Sequence, residues 1–278
     1  MLRSILLALD DTPGALAARD LALALAARRG AALTCAAVLD RPHTLGAQEP
    51  VPAGGMAFAE RRNAALAAQA EAEAGAAIAA AQQAAGDVAI QCVMLPDAPE
   101  QALLRAGATH DLIVLGRDCT LGREEAEDGL APVAEALLRD GARPLLLVPP
   151  GASPGTEGPV LVAYDGSLPA MRALQLFALL GLAEGSPVKL LTVDAEAAEA
   201  ARLAAEGAAF LRRHGIEAEE WPVEGGHPAE LLLAEAATTG ARLMVMGAFG
   251  TSGLWAMLTG SPTRTLLRQA PCAVFVHH

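Results

Sequence analysis

The chain contains few aromatic residues and few basic ones. Only 3% of its 278 residues are aromatic although 53% are hydrophobic, so the core must be built from Ala, Leu and Val. That composition suits helices packed on a parallel sheet. The 32 acidic residues outnumber the 20 basic ones, and the net charge of -12 argues against a nucleic-acid or anionic-membrane surface. The length allows two domains of ordinary size.

Long apolar runs and paired cysteines are also missing. No run approaches the roughly 18–20 residues of a membrane span, and the apolar segment 5–9 is interrupted by Asp10 and Asp11, too short for a signal peptide. We therefore expect a cytoplasmic protein. The cysteines show neither a CxxC pair nor a metal-like spacing with His, which favours structural thiols at four scattered positions: Cys35, Cys92, Cys119 and Cys272.

Two halves of the chain repeat one pattern. Apolar runs at 4–9 and 160–164 each lead to an aspartate, Asp10 and Asp165, 155 positions apart (165 − 10). Gly116 and Gly247 end a later matching pair at an offset of 131 (247 − 116), so the first half carries 24 extra residues (155 − 131). We predict domains at 1–150 and 158–278, joined by a Pro/Gly-rich linker. The extra residues are expected in a loop over 41–55, before an Ala-rich helix over 56–85.

The second half reads as strands alternating with helices. Because its strands show little period-2 alternation, they predict a parallel sheet covered on both faces, a doubly wound α/β fold with five strands in each domain. The predicted strands are 160–164, 188–193, 216–223, 242–246 and 272–276, and the predicted helices are 169–182, 195–214, 228–239 and 261–269.

Ligands of such sheets bind beyond the carboxyl ends of the strands, where the winding direction reverses. With the strand order 3-2-1-4-5, that point brings together Asp165 after strand one and Gly247 at the end of strand four. The apolar last strands, 145–148 and 273–276, would be exposed edges in separate domains. We therefore expect them to pair or to share an interface, which would relate the halves by a pseudo-two-fold axis.

Glycines and a hydroxyl follow the fourth strand of the second half: Gly247, Gly250, Gly260 and Ser261. Glycine lets backbone amides approach a ligand, and a helix N-terminus favours anions, so this loop is suited to a phosphate. Structural alternatives exist for these positions. The glycines could instead serve a turn, and Asp165 after strand one could start a helix. Val193, near the end of strand two, would be a core residue in any case.

The spacing of that loop, together with the closing segment 266–274, resembles the universal stress protein family, specifically its tandem members with adenine nucleotide alpha hydrolase-like domains. The resemblance implies that Asp165 and Val193 hold adenosine and that the glycines and Ser261 hold phosphates. It implies a bound ATP with Mg²⁺ and a homodimer. The remaining pocket positions that it implies are Ala163, Tyr164, Met246 and Pro262.

The first half departs from that pattern. Cys119 replaces the second glycine, and Gly129 is followed by Leu130 instead of Ser or Thr. The loop also contains four carboxylates, Glu124, Glu125, Glu127 and Asp128, which would repel a triphosphate by about 1 kcal/mol per close pair even in bulk water. We predict that this half is empty or binds something else.

These features favour a stress-response regulatory protein that binds ATP in its C-terminal domain and is not an enzyme. The sequence contains no Walker-type GxxxxGK[ST] and no kinase HRD-like motif. Two alternatives stay open at this point. One is a slow ATPase or phosphotransferase, and the other is an interaction module whose glycine loop binds no nucleotide.

Overall fold

The computed structural model of the protein describes residues 1–40, 56–123, 129–248 and 262–278. The predicted loop 41–55, the acidic segment 124–128 and most of the glycine loop, 249–261, lie outside the described residues. The strands that are described are β1 (Ser4–Leu9), β2 (Ala32–Val38), β3 (Ile90–Leu95), β4 (Leu112–Gly116), β5 (Leu145–Val148), β6 (Val160–Ala163), β7 (Val188–Asp194), β8 (Ala218–Glu224), β9 (Leu243–Gly247) and β10 (Ala273–His277).

Helices separate most of these strands, as the sequence predicts. The described helices are α1 (Pro13–Arg29), α2 (Met56–Ala85), α3 (Pro99–Gly107), α4 (Pro132–Asp140), α5 (Leu168–Leu180), α6 (Ala197–Arg213), α7 (Pro228–Thr239) and α8 (Pro262–Gln269). The predicted boundaries of the second half differ from these by at most two residues.

One ten-stranded sheet runs through the molecule in the order β3-β2-β1-β4-β5-β10-β9-β6-β7-β8. Each half therefore has the predicted order 3-2-1-4-5, and its own strands are all parallel. The two five-stranded sheets are continuous, which the sequence left open. The doubly wound α/β fold is thus confirmed, whereas the domain boundaries stay a prediction.

The halves meet where β5 and β10 pair antiparallel, with Phe275 opposite Leu146. This pairing confirms the expectation that the last strands cover each other's edges. Polar contacts also join the two halves: Arg28 Nε donates to Glu184 Oε1 at 3.0 Å, and Arg117 Nη1 donates to the Ala270 carbonyl at 2.8 Å. A homodimer would have to use a surface other than these two strand edges.

The first helix of each half starts in the same way. Thr12 caps α1 by accepting a hydrogen bond from Ala15 N, and Ser167 caps α5 by accepting one from Ala170 N, each at 3.3 Å. A proline follows in the first turn of both helices, where its missing N–H costs nothing. Both helices end at a glycine in the left-handed region, Gly30 and Gly181.

The core forms two layers, one on each face of the sheet. Helices α1, α2, α5 and α6 cover one face, and α3, α4, α7 and α8 cover the other. Alanine, leucine and valine dominate both layers, as the composition predicts, and Phe177 and Phe275 are the largest fully buried side chains. The carboxyl ends of all strands within a half point to one edge, which positions the candidate site.

Candidate functional site

Asp165 follows β6 and stands at the start of α5. Its side chain is exposed, and one carboxylate oxygen, Oδ1, accepts a hydrogen bond from Ser167 N at 2.9 Å. Ser167 in turn caps the helix, so the aspartate has the structural role that the sequence offered as an alternative. An exposed carboxylate that uses one oxygen in a turn still has lone pairs for a ligand. The two roles are compatible.

Ala163, the last residue of β6, and Tyr164, which follows it, point to opposite faces of the sheet. Ala163 is half-buried and packs, like Val193, against the core cluster that contains Met246, whereas Tyr164 points to the α6 face, where it is 5% exposed. Its ring lies so close to Gly207 that a Cβ there would be 3.1 Å from Tyr164 Cδ1. The phenol donates to Glu206 Oε1 at 3.4 Å. Burial, with a contribution from the Glu206 carboxylate, raises the pKa of Tyr164 to about 12.

Val193 lies near the end of β7, next to β6 in the sheet. It is half-buried on the same face as Ala163. The following Asp194 accepts a hydrogen bond from Glu196 N at 2.9 Å, and its carbonyl accepts one from Gly225 N at 2.7 Å. The second of these bonds ties the carboxyl end of β7 to that of β8, and β7 pairs with β6 on its other side.

Gly247 ends β9, which pairs directly with β6. A Cβ on Gly247 would lie 2.4 Å from Ala170 N, and Gly116 meets Ala15 N at 2.3 Å in the same way. Since real side chains never approach so closely, both halves require glycine here for packing, independently of any ligand. Met246 is 4% exposed and belongs to the core under α7 and α8.

The rest of the predicted loop is only partly described. Gly250, Gly260 and Ser261 lie outside the described residues, and Pro262 is the first residue of α8. The structure therefore brings Asp165, Ala163, Val193 and Gly247 to one edge of the sheet, at the point where the winding reverses. Tyr164 and Met246 are adjacent in sequence to this edge but have buried side chains.

The corresponding edge of the first half is occupied by its own carboxylates. Asp10 Oδ2 accepts hydrogen bonds from Thr120 N at 2.5 Å, Thr120 Oγ1 at 3.1 Å and Leu121 N at 2.9 Å. Asp118 accepts bonds from Thr12 Oγ1 and Gly14 N, each at 3.1 Å, at the N-terminus of α1. The backbone donors of this loop and helix therefore already bind protein anions.

The cysteines are free thiols, and Cys35, Cys119 and Cys272 are buried. Burial raises the pKa of Cys119 well above its ordinary value, and the carboxylates of Asp10 and Asp118 add to the effect. Among the residues that the structure describes, no cluster of three or more His, Cys, Asp or Glu could hold a metal ion. None of the described helices is long and apolar enough to cross a membrane.

Comparison with known proteins accords with this architecture. A sequence model described as the universal stress protein family matches residues 1–149 and 194–278. The chain belongs to the universal stress protein family. It is 28% identical over 166 residues to a universal stress protein of Synechocystis sp., a match that covers 59% of this chain. The chain thereby spans 56% of the length of that relative.

Two solved structures of tandem length have the same fold. A universal stress protein from Archaeoglobus fulgidus has a TM-score of 0.73 and 20% sequence identity, over 99% of this chain and 97% of the other. A Pseudomonas aeruginosa protein of unknown function has a TM-score of 0.63 and 18% identity, over 99% and 92%. At these identities the likeness concerns the fold of this family member and not its ligand.

Proposed function

We propose that this universal stress protein binds an adenine nucleotide, ATP with Mg²⁺, in its C-terminal half, and that nucleotide occupancy regulates its interactions during stress. The observation that carries the proposal is the juxtaposition of Asp165 and Gly247. They follow the adjacent strands β6 and β9 at the carboxyl edge, where doubly wound sheets bind ligands. Val193 on β7 extends the same edge.

Each residue has a distinct role in this proposal. The exposed Asp165 carboxylate would accept hydrogen bonds from the ribose hydroxyls, and the backbone of Val193 would face the adenine. The amides after Gly247, with the Ser261 hydroxyl, would bind the phosphates. Mg²⁺ would be held mainly by the phosphates of the nucleotide, as is usual for this ion, so no dedicated protein cage is required.

The first half supports the assignment to the second by contrast. Its loop amides, Thr120 N and Leu121 N, bind the Asp10 carboxylate, and the first turn of α1 binds Asp118. A phosphate would have to displace both carboxylates and would meet their charge. We therefore propose a single nucleotide site for each chain, and a binding function instead of turnover.

Thermal unfolding with millimolar ATP and Mg²⁺ tests the proposal. A ligand at about 100 times its Kd stabilises the folded state by about 2.7 kcal/mol, which raises the melting temperature. Gly250→Asp should abolish the rise, because it places a carboxylate and a side chain among the proposed phosphate donors. Gly155→Asp in the linker makes the same charge change at a distance and should retain it. An unchanged melting temperature of the wild-type protein would contradict the proposal.

A further inference from the structure

Two cysteines of the N-terminal half lie opposite each other in the sheet. Cys35 of β2 is the register partner of Cys92 of β3, and the two strands pair in parallel. Neighbouring strands lie about 4.8 Å apart, and the Cα atoms of disulfide-bonded cysteines lie about 4.4–6.8 Å apart. The sheet therefore holds both residues at a separation from which a disulfide can form without a large movement of the backbone.

The two side chains point to the same face of the sheet. Cys35 belongs to the core layer under α1 and α2, and Cys92 packs against that layer from the outer strand. Their thiols are also in hydrogen-bonding contact. Burial raises the pKa of Cys92, and the hydrogen bond with Cys35 opposes that shift. Burial, with the charge of Cys92 and the same hydrogen bond, raises the pKa of Cys35 to about 12. Cys92 is thus the member of the pair that ionises first.

Exposure also separates the roles of the two thiols. Cys35 is 0% exposed, whereas Cys92 is half-buried. Its strand, β3, ends the described sheet and has β2 beside it. The rate of thiol–disulfide exchange depends on the thiolate fraction and on access, so a small reagent reaches Cys92 before Cys35.

The other cysteines do not share this arrangement. Cys119 and Cys272 lie outside the strands and are 1% and 4% exposed. In the second half the residue equivalent to Cys35 is Leu190 (35 + 155), and its register partner is Glu220. The pair is therefore particular to the first half. It lies three residues before the ends of β2 and β3 (38 − 35 and 95 − 92), within the sheet and not at its carboxyl edge.

We propose that Cys35 and Cys92 are a reversible redox pair that a low-molecular-weight disulfide oxidises to an intramolecular disulfide. The Cys92 thiolate attacks one sulfur of the small disulfide, whose S–S bond breaks and releases one small thiol. The Cys35 thiol then gives up its proton and attacks the Cys92 sulfur, which releases the second small thiol. The protein pair loses two electrons and two protons, and the small disulfide gains them.

The product would fasten the outer strand of the sheet. A bond between Cys35 and Cys92 joins β3 covalently to β2 and closes the connection that contains α2, a span of 57 positions (92 − 35). Such a bond restricts the unfolded chain and holds the strand pair together. It uses no residue of the nucleotide site proposed above.

Treatment of the native, full-length protein with millimolar bis(2-hydroxyethyl) disulfide tests the proposal. Peptide mapping should find a bond between Cys35 and Cys92, and thiol titration in denaturant should count two of the four thiols fewer per chain. Dithiothreitol should restore both thiols. Retention of all four thiols, or a stable mercaptoethanol adduct on Cys92 of the wild-type protein, would overturn the proposal.

Single variants separate the two roles, and circular dichroism confirms that each is folded. Cys35→Ala removes the second thiol, so Cys92 should keep the mercaptoethanol adduct. Cys92→Ala should leave its three remaining thiols unmodified, whereas the control Cys272→Ala should form the disulfide as the wild type does. An unmodified Cys92 in Cys35→Ala, or rapid modification of Cys35 in Cys92→Ala, would contradict the assigned order of attack. Gly250→Asp should form the disulfide normally.

Discussion

Gly247 at the end of β9 lies against Ala170 in the first turn of α5, where a Cβ on Gly247 would be 2.4 Å from the Ala170 nitrogen. Gly116 and Ala15 repeat this relationship in the first half at 2.3 Å. The first glycine of the family pattern is therefore retained even where the rest of the pattern has been lost. Its presence alone does not distinguish a nucleotide site from a packing contact.

The first prediction concerns that contact. Gly247→Ala should destabilise the protein by about 1–3 kcal/mol, because the added methyl group forces the strand and the helix apart. Gly75→Ala is the control, since Gly75 lies within α2 and its Cβ would meet nothing within 4 Å. It should stabilise the protein by about 0.5–1 kcal/mol through helix propensity. Urea unfolding measures both, and equal effects would contradict the steric explanation.

The second prediction concerns the single tyrosine of the chain. Burial and the Glu206 carboxylate raise the pKa of Tyr164 to about 12. The ultraviolet absorbance of phenolate should therefore titrate near 12 in the folded protein and near 10 in urea. Because the folded state keeps its proton longer, this residue lowers the free energy of unfolding as pH rises from 10 to 12. A folded midpoint near 10 would show that the ring is solvated.

The third prediction concerns acid stability. Burial lowers the pKa of His277 to about 4, and the positive charges of His278 and Arg172 contribute. Between pH 6.5 and 4 the unfolded chain binds a proton that the folded chain does not, so stability falls as the pH is lowered. The loss should be smaller in His277→Val, which copies Val148 from the equivalent position of β5. Urea unfolding at the two pH values would contradict this if wild type and variant lost equal stability.

The fourth prediction concerns the seam between the halves. Phe275 on β10 is fully buried at the antiparallel pairing with β5, so Phe275→Ala should cost about 3–5 kcal/mol. Phe58→Ala is the same substitution on α2 at a side chain that is 70% exposed, and it should change stability by less than about 0.5 kcal/mol. Chemical denaturation compares them. A small effect of Phe275→Ala would mean that the seam contributes little to folding.

Much of the fold could be predicted because its signals are local. Thr12 and Ser167, each followed by a proline within two residues, indicate the start of the first helix in each half. The apolar strands with intervening helices predict a parallel sheet. The repeat with Asp10 and Asp165 at equivalent positions then predicts the same fold for both halves, whereas the strand order 3-2-1-4-5 was an assumption that the structure confirms. The continuity of the sheet through Phe275 depends on two strand edges that are distant in sequence, so the sequence predicted their direct pairing only as one of two expectations.

The site was less predictable for a physical reason. The topology predicts that Asp165 and Gly247 lie at one edge of the sheet. It does not predict the direction in which the neighbouring side chains point. Tyr164 turns to the α6 face because Gly207 leaves room for its ring, and that glycine carries no signal in the sequence.

The number of nucleotides bound by each chain tests the central claim most directly. Isothermal titration with ATP and Mg²⁺ should give one site per chain in the wild-type protein and none in Gly250→Asp, because the first half already binds Asp10 and Asp118 through its own donors. Two sites per chain, or one site that persists in Gly250→Asp, would contradict the assignment of the nucleotide to the C-terminal half.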